Sequence, residues 1–254
     1  MLEIKDVRFS YDKKSQSVLN GINLSLEKGK VGVILGGNGA GKTTLFKTIL
    51  GIEKPSSGDI CINSFSILDL SRKERAKIIS YVPQNISFGD LTVYETIMTG
   101  RIAYFDFNEG QNDRIEVERA IKEMGLESLV DRLSEQLSGG EKQKVAIARA
   151  IAGKPKLIVF DEPTGNLDLA NERLLIELIK RLSKELNITV LCSIHNLNEA
   201  LEIGDNFFFM KDGIIKYTGE KDVFSEEIIE DIFGVKVKIT KIDDQLVITG
   251  GKRL

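Results

Sequence analysis

Histidine and cysteine are scarce in this chain, which has one histidine and two cysteines among 254 residues. A single histidine excludes a zinc site built from pairs of histidine and cysteine ligands. The two cysteines, Cys61 and Cys192, both lie in apolar, strand-like surroundings. Reduced, buried thiols of a cytosolic protein are therefore favoured over a disulfide or a metal-binding pair.

Long apolar runs and an excess of basic charge are also lacking. The longest apolar runs, at 157–160 (LIVF) and 207–210 (FFFM), are far shorter than the ~20 residues of a membrane span. Met1 leads directly into alternating, strand-like sequence, so we expect no signal peptide. The net charge of −3 provides no bulk basic field for nucleic acid.

The composition is that of a globular protein, with 29% charged and 42% hydrophobic residues. A length of 254 residues is near the upper end for a single hydrophobic core. We therefore expect one domain with a subdomain, or two closely joined lobes.

The most informative segment is the glycine-rich stretch 36–44 (GGNGAGKTT), which follows an apolar, strand-like run and precedes a helical pattern. In that context the G-x-x-x-x-G-K-[ST] pattern predicts a phosphate-binding loop. Its glycines let the backbone turn several N–H groups toward phosphate oxygens at the positive end of the following helix. Lys42 is expected to reach the β- and γ-phosphates, and the Thr43 hydroxyl to ligate Mg²⁺. The flanking strand and helix disfavour the alternative, a flexible turn with a surface lysine.

Two polar or aromatic residues near predicted strand ends have open roles. Tyr11 ends the first of two predicted antiparallel strands, 2–11 and 22–26, which are joined by a polar loop at 12–17. Its ring could stack on a nucleotide base, or it could be a half-buried strand residue. Gln84 follows an apolar strand and could point into a site, but an exposed loop glutamine is the simpler interpretation.

The segment 90–152 has helical patterns and no convincing strand, which predicts a helical insertion between two strand-rich parts. Its aromatic residues belong either to the core or to a docking patch. These residues are Tyr94, Tyr104, Phe105 and Phe107.

The sequence LSGGE at 137–141 precedes a helical pattern and predicts an anion site. Ser138 is a good N-cap, and two glycines leave the backbone N–H groups of the first turn uncovered. A merely capped helix is the alternative. It does not explain why both Gly139 and Gly140 occur where glycine costs about 1 kcal/mol relative to alanine.

An apolar strand at 156–160 ends in Asp161 and Glu162, and a second one at 188–194 is followed by His195. Fully apolar strands are typical of parallel sheets, whose carboxyl ends bind ligands. Asp161 is expected to hold Mg²⁺ through water, while Glu162 orients or deprotonates the attacking water. Because the phosphate loop is already present, the alternative of two solvated acids is weak, and the same sheet edge favours a functional role for His195.

The rest of the chain is predicted to form helices and β-hairpins. Asp168 opens a long helix, and hairpins are predicted with turns at Asp212-Gly213 and Asp243-Asp244, separated by a short helix at 226–233. The long helix is expected to bury a stripe made of Leu174, Leu175, Leu178, Ile179 and Leu182.

Taken in order, the phosphate loop, Gln84, LSGGE, the LIVFDEP segment, the turn at 165–168 and His195 resemble the nucleotide-binding subunit of ATP-binding cassette (ABC) transporters. The resemblance extends from Tyr11 to about residue 220. It implies an α/β fold with a phosphate-loop ATPase core, a mixed or parallel sheet, an antiparallel β subdomain and an inserted α-helical subdomain. The implied single ABC ATPase domain, 1–254, divides into a core lobe (1–86 and 153–220), a helical subdomain (87–152) and a C-terminal helix and hairpin extension (221–254).

The resemblance also implies ATP and Mg²⁺ as ligands and assigns roles to the motif residues. Glu162 matches the catalytic carboxylate, His195 the histidine that contacts the γ-phosphate, and Gln84 the residue that touches Mg²⁺ and water. The implied Mg²⁺ ligands are Thr43, Gln84 and Asp161. The implied nucleotide-binding residues are Tyr11 at the adenine, Gly36, Gly37, Asn38, Gly39, Ala40, Gly41, Lys42, Thr43 and Thr44 in the loop, and Ser138, Gly139, Gly140 and Asp168. Gly37 and Lys144 stand where the family often has proline and arginine.

Further implications concern partners. Two copies are expected to pair head to tail around ATP, so that Ser138 and Gly140 of one copy cap the γ-phosphate held by Lys42 of the other, with Asp168 at the seam. The resemblance implies an integral membrane permease and a substrate-binding protein as partners, no nucleic acid, and a cytoplasmic location at the inner face of the cell membrane. The segments LTVYETIMTGR and FGVKVKI resemble importers of iron chelates, haem or cobalamin.

Two other functional classes are compatible with the motifs. One is a soluble single-cassette ABC ATPase in cofactor assembly. The other is a regulatory module that closes on ATP without turnover, which intact Glu162 and His195 disfavour.

Overall fold

The computed structural model describes residues 1–12, 17–165 and 167–253, with side chains described as far as residue 250. The predicted loop at 12–17 lies largely outside these ranges, as does Asn166 of the predicted turn at 165–168. The strands are β1 (Leu2–Phe9), β2 (Leu19–Leu26), β3 (Val31–Leu35), β4 (Ser57–Ile62), β5 (Phe65–Ser66), β6 (Ile79–Val82), β7 (Leu157–Asp161), β8 (Thr189–Ser193), β9 (Asn206–Lys211), β10 (Ile214–Gly219), β11 (Val235–Ile242) and β12 (Gln245–Arg253). The helices are α1 (Lys42–Ile49), α2 (Arg72–Ala76), α3 (Val93–Met98), α4 (Gln111–Met124), α5 (Gly139–Ala152), α6 (Leu169–Lys184), α7 (Leu197–Ile203) and α8 (Glu226–Phe233).

A six-stranded sheet in the order β10-β9-β3-β8-β7-β6 forms the centre of the molecule. The strands from β9 to β6 run parallel, and only β10 is antiparallel to its neighbour. Every residue of β3, β7 and β8 is buried, because apolar layers cover both faces of the sheet. The parallel register places the carboxyl ends of these three strands at one edge, where the candidate site residues follow them.

A second sheet, β2-β1-β4-β5, is antiparallel throughout, as predicted for its first strands. Its apolar face packs with α1 against one face of the central sheet, in a core that includes Ile4, Phe46 and Val159. The first strand ends at Phe9 rather than at Tyr11, so Tyr11 lies beyond the strand.

The region between β6 and β7 is helical, which confirms the predicted insertion. It contains α3, α4, α5 and short 3₁₀ helices at Thr99–Tyr104, Glu127–Leu129 and Ser134–Gln136. Within the described residues its only strand-like feature is an isolated bridge between Thr92 and Leu133. The division of the whole chain into lobes stays a prediction.

The four aromatic residues of the helical region divide between the two proposed roles. Tyr94 and Phe105 are half-buried against the core. Tyr104 donates its hydroxyl to the Gly153 carbonyl at 2.8 Å. Phe107 is 99% exposed and is therefore available to a partner.

The stripe predicted for α6 is wrong at one position. Leu174 is half exposed, whereas Ile176 is buried instead. The core-facing side of α6 contains Leu175, Ile176, Ile179 and Leu182, and the helical period places Leu174 at the edge of that face.

The C-terminal elements follow their predicted bounds closely. Asp212 and Gly213 both have positive φ, as do Asp243 and Asp244, and such two-residue turns match the twist of paired strands. Neither cysteine forms a disulfide: Cys192 is buried in β8 as expected, whereas Cys61 is only partly buried. Of the helices in the described parts of the chain, none has the length and apolar content needed to cross a bilayer.

Candidate functional site

The loop between β3 and α1 forms a backbone cradle that depends on glycine. A Cβ atom at Gly36 would lie 2.2 Å from the Met210 carbonyl oxygen of the neighbouring strand β9. Gly39 and Gly41 have φ of 80° and 104°, which other residues rarely adopt. No side chain caps α1, and its first turn contains no acid. Its free N–H groups therefore suit an anion.

Lys42 is the buried cation of this cradle, with 7% of its surface exposed. Its Nζ donates to the carbonyl oxygens of Gly36 at 2.7 Å and Gly37 at 3.2 Å. Burial lowers the pKa of Lys42, and the negative charges of Glu162 and Asp161 oppose that effect. Because an ammonium has three N–H donors, one remains for a phosphate oxygen.

Asp161, the last residue of β7, is fixed by two hydroxyl groups. The Ser193 hydroxyl donates to Asp161 Oδ1 at 2.9 Å, and the Tyr81 hydroxyl makes a long contact of 3.5 Å with Oδ2. Burial and the charge of Asp161 raise the pKa of Tyr81 to about 12. Tyr81 therefore stays protonated at neutral pH and remains a donor.

Glu162 follows directly and has a left-handed backbone with φ 48°. Such a conformation costs roughly 1–3 kcal/mol for a residue other than glycine and is common at functional sites. The Ser193 hydroxyl accepts a hydrogen bond from its N–H at 2.9 Å. Its carboxylate lies between His195 Nε2, 2.5 Å from Oε1, and Gln84 Nε2, 2.9 Å from Oε2. Three segments distant in sequence thus meet at one carboxylate.

Tyr11 also reaches the phosphate loop. Its hydroxyl lies 3.2 Å from Thr44 Oγ1, and its ring meets the Phe9 ring edge to face at 4.9 Å between centroids. Since 53% of Tyr11 is exposed, its ring keeps a face available for stacking on a base.

A second cluster surrounds the N-termini of α5 and α6. Ser138 caps α5 in a reciprocal pair with Glu141: its hydroxyl donates to Glu141 Oε2 at 2.7 Å, and its N–H donates to the same oxygen at 2.8 Å. Asp168 caps α6 by accepting from the N–H of Asn171 at 2.9 Å. A Cβ atom at Gly140 would lie 2.1 Å from Asn171 Oδ1.

The surroundings of the two glycines differ. Gly140 lies beside the amide of Asn171, a side chain that can rotate away, so this contact alone does not require glycine. At Gly139 a Cβ atom would meet nothing within 4 Å among the described residues. The open space at Gly139 is therefore consistent with the predicted approach of an anion to the first turn of α5.

The structure thus brings the candidate residues together in two groups. The first contains the phosphate loop, Tyr11, Gln84, Asp161, Glu162 and His195. The second contains Ser138, Gly139, Gly140 and Asp168. Across the described ranges, no side-chain hydrogen bond joins the second group to the phosphate loop. The roles assigned to individual residues stay predictions.

The sequence pattern of the ABC transporter family matches residues 19–165. The chain belongs to this family. Relatives include an uncharacterized ABC transporter ATP-binding protein of Methanocaldococcus jannaschii, 38% identical over 95% of this chain and 94% of that protein. The phosphonates import ATP-binding protein PhnC of Lactobacillus gasseri is 34% identical over 92% and 93%. The molybdate/tungstate import ATP-binding protein WtpC of Thermococcus kodakarensis is 37% identical over 84% and 64%.

Solved ABC structures agree with this fold. An inward-facing transporter described as metal-chelate type superposes with TM-score 0.83 and 28% identity, covering 98% of this chain and 95% of that one. CbiO1 from Clostridium perfringens, part of the complex CbiONQ, gives 0.78 and 33% over 91% and 92%. A dimeric ATP-binding cassette in a post-hydrolysis state with ADP and Pi gives 0.74 and 30% over 87% and 98%. The chain is therefore an ATP-binding subunit of an ABC transporter, and it is an ATPase.

Two residues of this ABC ATPase site were not singled out from the sequence. Ser193 joins Asp161 to the backbone of Glu162, and Tyr81 contacts Asp161. A signal for Ser193 existed, because it ends a buried strand in register with Asp161. Tyr81 carried no such signal, since it lies within a strand of ordinary composition.

The residues present suit Mg²⁺ only together with phosphate. Among the described residues no group of three or more His, Cys, Asp or Glu side chains could hold a metal ion. The oxygen donors available are Asp161, the exposed hydroxyl of Thr43 and the amide of Gln84. Mg²⁺ is commonly bound by one or two carboxylates together with substrate phosphates, so this set fits it.

Proposed function

We propose that this ATPase subunit hydrolyses ATP at Glu162 within a head-to-tail dimer and thereby drives import through a membrane permease. The observation that carries the proposal is the carboxylate of Glu162, held between Gln84 and His195 beside the buried ammonium of Lys42. This arrangement supplies a base, two groups that orient it and a cation for the phosphate. Mg²⁺, when bound by Thr43, Gln84 and Asp161, would supply additional positive charge at the phosphates.

Each side chain then has a defined task. Lys42 and the N–H groups of the cradle hold the triphosphate, and Tyr11 offers its ring to the adenine. Glu162 accepts a proton from the attacking water, while His195 keeps the carboxylate oriented toward the γ-phosphate side. Ser193 fixes both acids at the sheet edge, so that Asp161 and Glu162 keep separate roles.

The dimer accounts for the second group of residues. Ser138 and Gly139 lie at an exposed helix N-terminus, and such a terminus favours an anion. The dimeric cassette of similar fold supports the pairing of two copies. In this arrangement the γ-phosphate held by Lys42 of one copy meets Ser138 of the other, and Asp168 lies at the contact.

The test is Glu162→Gln, which keeps the size of the side chain and removes the base. We expect ATP to bind, hydrolysis to fall by roughly 10²–10⁴-fold, and the protein to elute as a dimer with ATP and Mg²⁺. Glu27→Gln, at an exposed site between β2 and the amino end of β3, is the matched control and should behave as wild type. Hydrolysis at the wild-type rate would refute the role of Glu162. A Glu162→Gln protein that stays monomeric at saturating ATP would refute the dimer.

We also propose iron chelates, haem or cobalamin as the cargo class, with a substrate-binding protein outside the cell and the chain on the inner face of the membrane. Support comes from the similarity to the transporter described as metal-chelate type. The phosphonate and molybdate/tungstate relatives represent the competing cargoes.

The permease is proposed to dock a short cytoplasmic helix on the surface between Gln84 and Phe107. This can be tested by reconstituting the complex in vesicles and measuring ATP hydrolysis with each cargo class. Stimulation only by phosphonate or molybdate would contradict the cargo assignment. Recovery of the chain solely from the soluble fraction, with no permease attached, would favour the soluble ATPase of cofactor assembly.

A further inference from the structure

Arg149, in the last turn of α5, is half-buried and has no counterion. Within the described residues its guanidinium takes part in no ion pair or hydrogen bond, and its nearest ring contact is Phe88, 5.4 Å from Cζ to the ring centroid. Burial lowers the pKa of Arg149, and no carboxylate opposes that effect as Glu162 and Asp161 do for Lys42. A half-buried arginine without a counterion gains by pairing with an external carboxylate.

Phe88, whose ring faces Arg149, is held in place by Glu135. Glu135 Oε1 accepts from the Phe88 N–H at 2.6 Å and from the Ser87 hydroxyl at 3.1 Å. Glu135 Oε2 accepts from Lys142 Nζ at 2.6 Å. The Lys142 ammonium, together with the Phe88 N–H, lowers the pKa of Glu135 to about 2. Glu135 therefore stays charged at neutral pH and keeps Phe88 beside Arg149.

The 3₁₀ helix Thr99–Tyr104 also packs against Arg149, through its backbone. A Cβ atom at Gly100 would lie 2.1 Å from the Arg149 carbonyl oxygen, so the 3₁₀ helix Thr99–Tyr104 packs directly on α5 at this residue. The segment 88–107 also exposes large apolar side chains: Ile102 is 58% and Phe107 99% exposed. An unpaired cation that packs on this segment, which exposes apolar side chains, matches an amphipathic helix that carries an acid.

We propose that Arg149 receives an aspartate or glutamate side chain from the permease helix that docks between Gln84 and Phe107. This inference rests on the proposed function and adds the charge that the docking helix must carry. A guanidinium presents a planar pair of N–H donors that matches a carboxylate, which fixes the register of the helix as well as its affinity. A purely structural Arg149 would instead act only on the negative end of the α5 dipole.

The experiment uses the whole chain and peptides with the sequence of the cytoplasmic helices of its co-purified permease. Each acidic residue of a peptide is replaced in turn by its amide, and binding is measured by fluorescence anisotropy. We expect one Asp→Asn or Glu→Gln peptide to bind wild-type protein about tenfold more weakly or worse. With Arg149→Gln this difference should vanish, with Arg149→Lys it should persist in part, and the exposed Arg119→Gln control should behave as wild type.

The outcomes separate this inference from the proposed function. Since the decisive change is in the peptide, a folding defect of the Arg149 variants leaves the wild-type comparison intact. Amide and acid peptides that bind wild type equally would overturn the role of Arg149 while leaving docking itself standing. A chain that co-purifies with a permease but binds none of its helix peptides would overturn the docking proposal as well.

Discussion

Adjacent glycines at the start of the phosphate loop should respond in opposite ways to alanine. At Gly36 a Cβ atom would lie 2.2 Å from the Met210 carbonyl oxygen, which belongs to the backbone of a central strand and cannot move freely. At Gly37 a Cβ atom would have no heavy atom within 4 Å among the described residues. Gly37 also has none of the positive φ values found at Gly39 and Gly41.

The magnitudes follow from these distances. Forcing one extra carbon into a packed site costs about 1–3 kcal/mol, so Gly36→Ala should lower Tm by roughly 2–12 °C, at 2–4 °C per kcal/mol for a domain of this size. The loop must also shift, so that the ammonium of Lys42 loses the Gly36 carbonyl that holds it at 2.7 Å. Gly37→Ala restricts only the unfolded chain, which stabilises a protein by about 0.4–1 kcal/mol.

Thermal unfolding with and without ATP and Mg²⁺, together with titration of a fluorescent ATP analogue, measures both effects. We expect Gly36→Ala to unfold earlier and to lose most of the stabilisation by nucleotide. Gly37→Ala should match or exceed wild type in Tm and bind the analogue with similar affinity. If Gly36→Ala equalled wild type in both measurements, the cradle would not depend on the close approach to β9.

Two further predictions concern stability. Arg101→Ala should lower the free energy of unfolding by about 3–5 kcal/mol. It leaves Asp113 buried without the guanidinium that lies 2.9 Å away, and it removes the donor to the Ala152 carbonyl. Urea unfolding measures the change, and a loss below about 1 kcal/mol would contradict the prediction. The pKa of Asp231 is lowered to about 2, chiefly by Lys216. Its contribution to folding stability is therefore present above the ordinary pKa of an aspartate and is lost as pH falls toward 2. Asp231→Asn should lower the urea midpoint at pH 7 and reduce the loss of stability between pH 4 and pH 2; urea midpoints equal to those of wild type at pH 7 and at pH 4 would refute a stabilising role of Asp231.

The sheet edge was predictable because two simple constraints act on it. Strands that are apolar throughout must be covered on both faces, which favours a parallel sheet. Parallel strands then place their carboxyl ends together, so residues after β3, β7 and β8 meet without any knowledge of the helices between them. The turns at Asp212-Gly213 and Asp243-Asp244 were predictable for a local reason, since few residues tolerate positive φ.

Pairings between distant segments were not predictable. The carboxylate of Glu162 is held by Gln84, which lies 78 residues away, and no periodicity encodes that contact. The exposed position of Leu174 depends on how α6 packs on α7, β8 and β3, whereas its residue type suggests the core. Tyr11 was ambiguous because its role depends on whether β1 ends before or after it, and strand ends are poorly specified by residue type.

Gly139 and Gly140, at the candidate dimer contact, are the same residue type in different surroundings. Both glycines are unfavourable in a helix, and from the sequence they pointed equally to an approaching anion. The structure separates them, because Asn171 fills the space beside Gly140 while the space beside Gly139 stays open. Asn171 also donates to Asp168 at 3.0 Å, so the side chain beside Gly140 belongs to the N-cap of α6. If a second copy presents its nucleotide here, the open space at Gly139 leaves room for it beside Ser138.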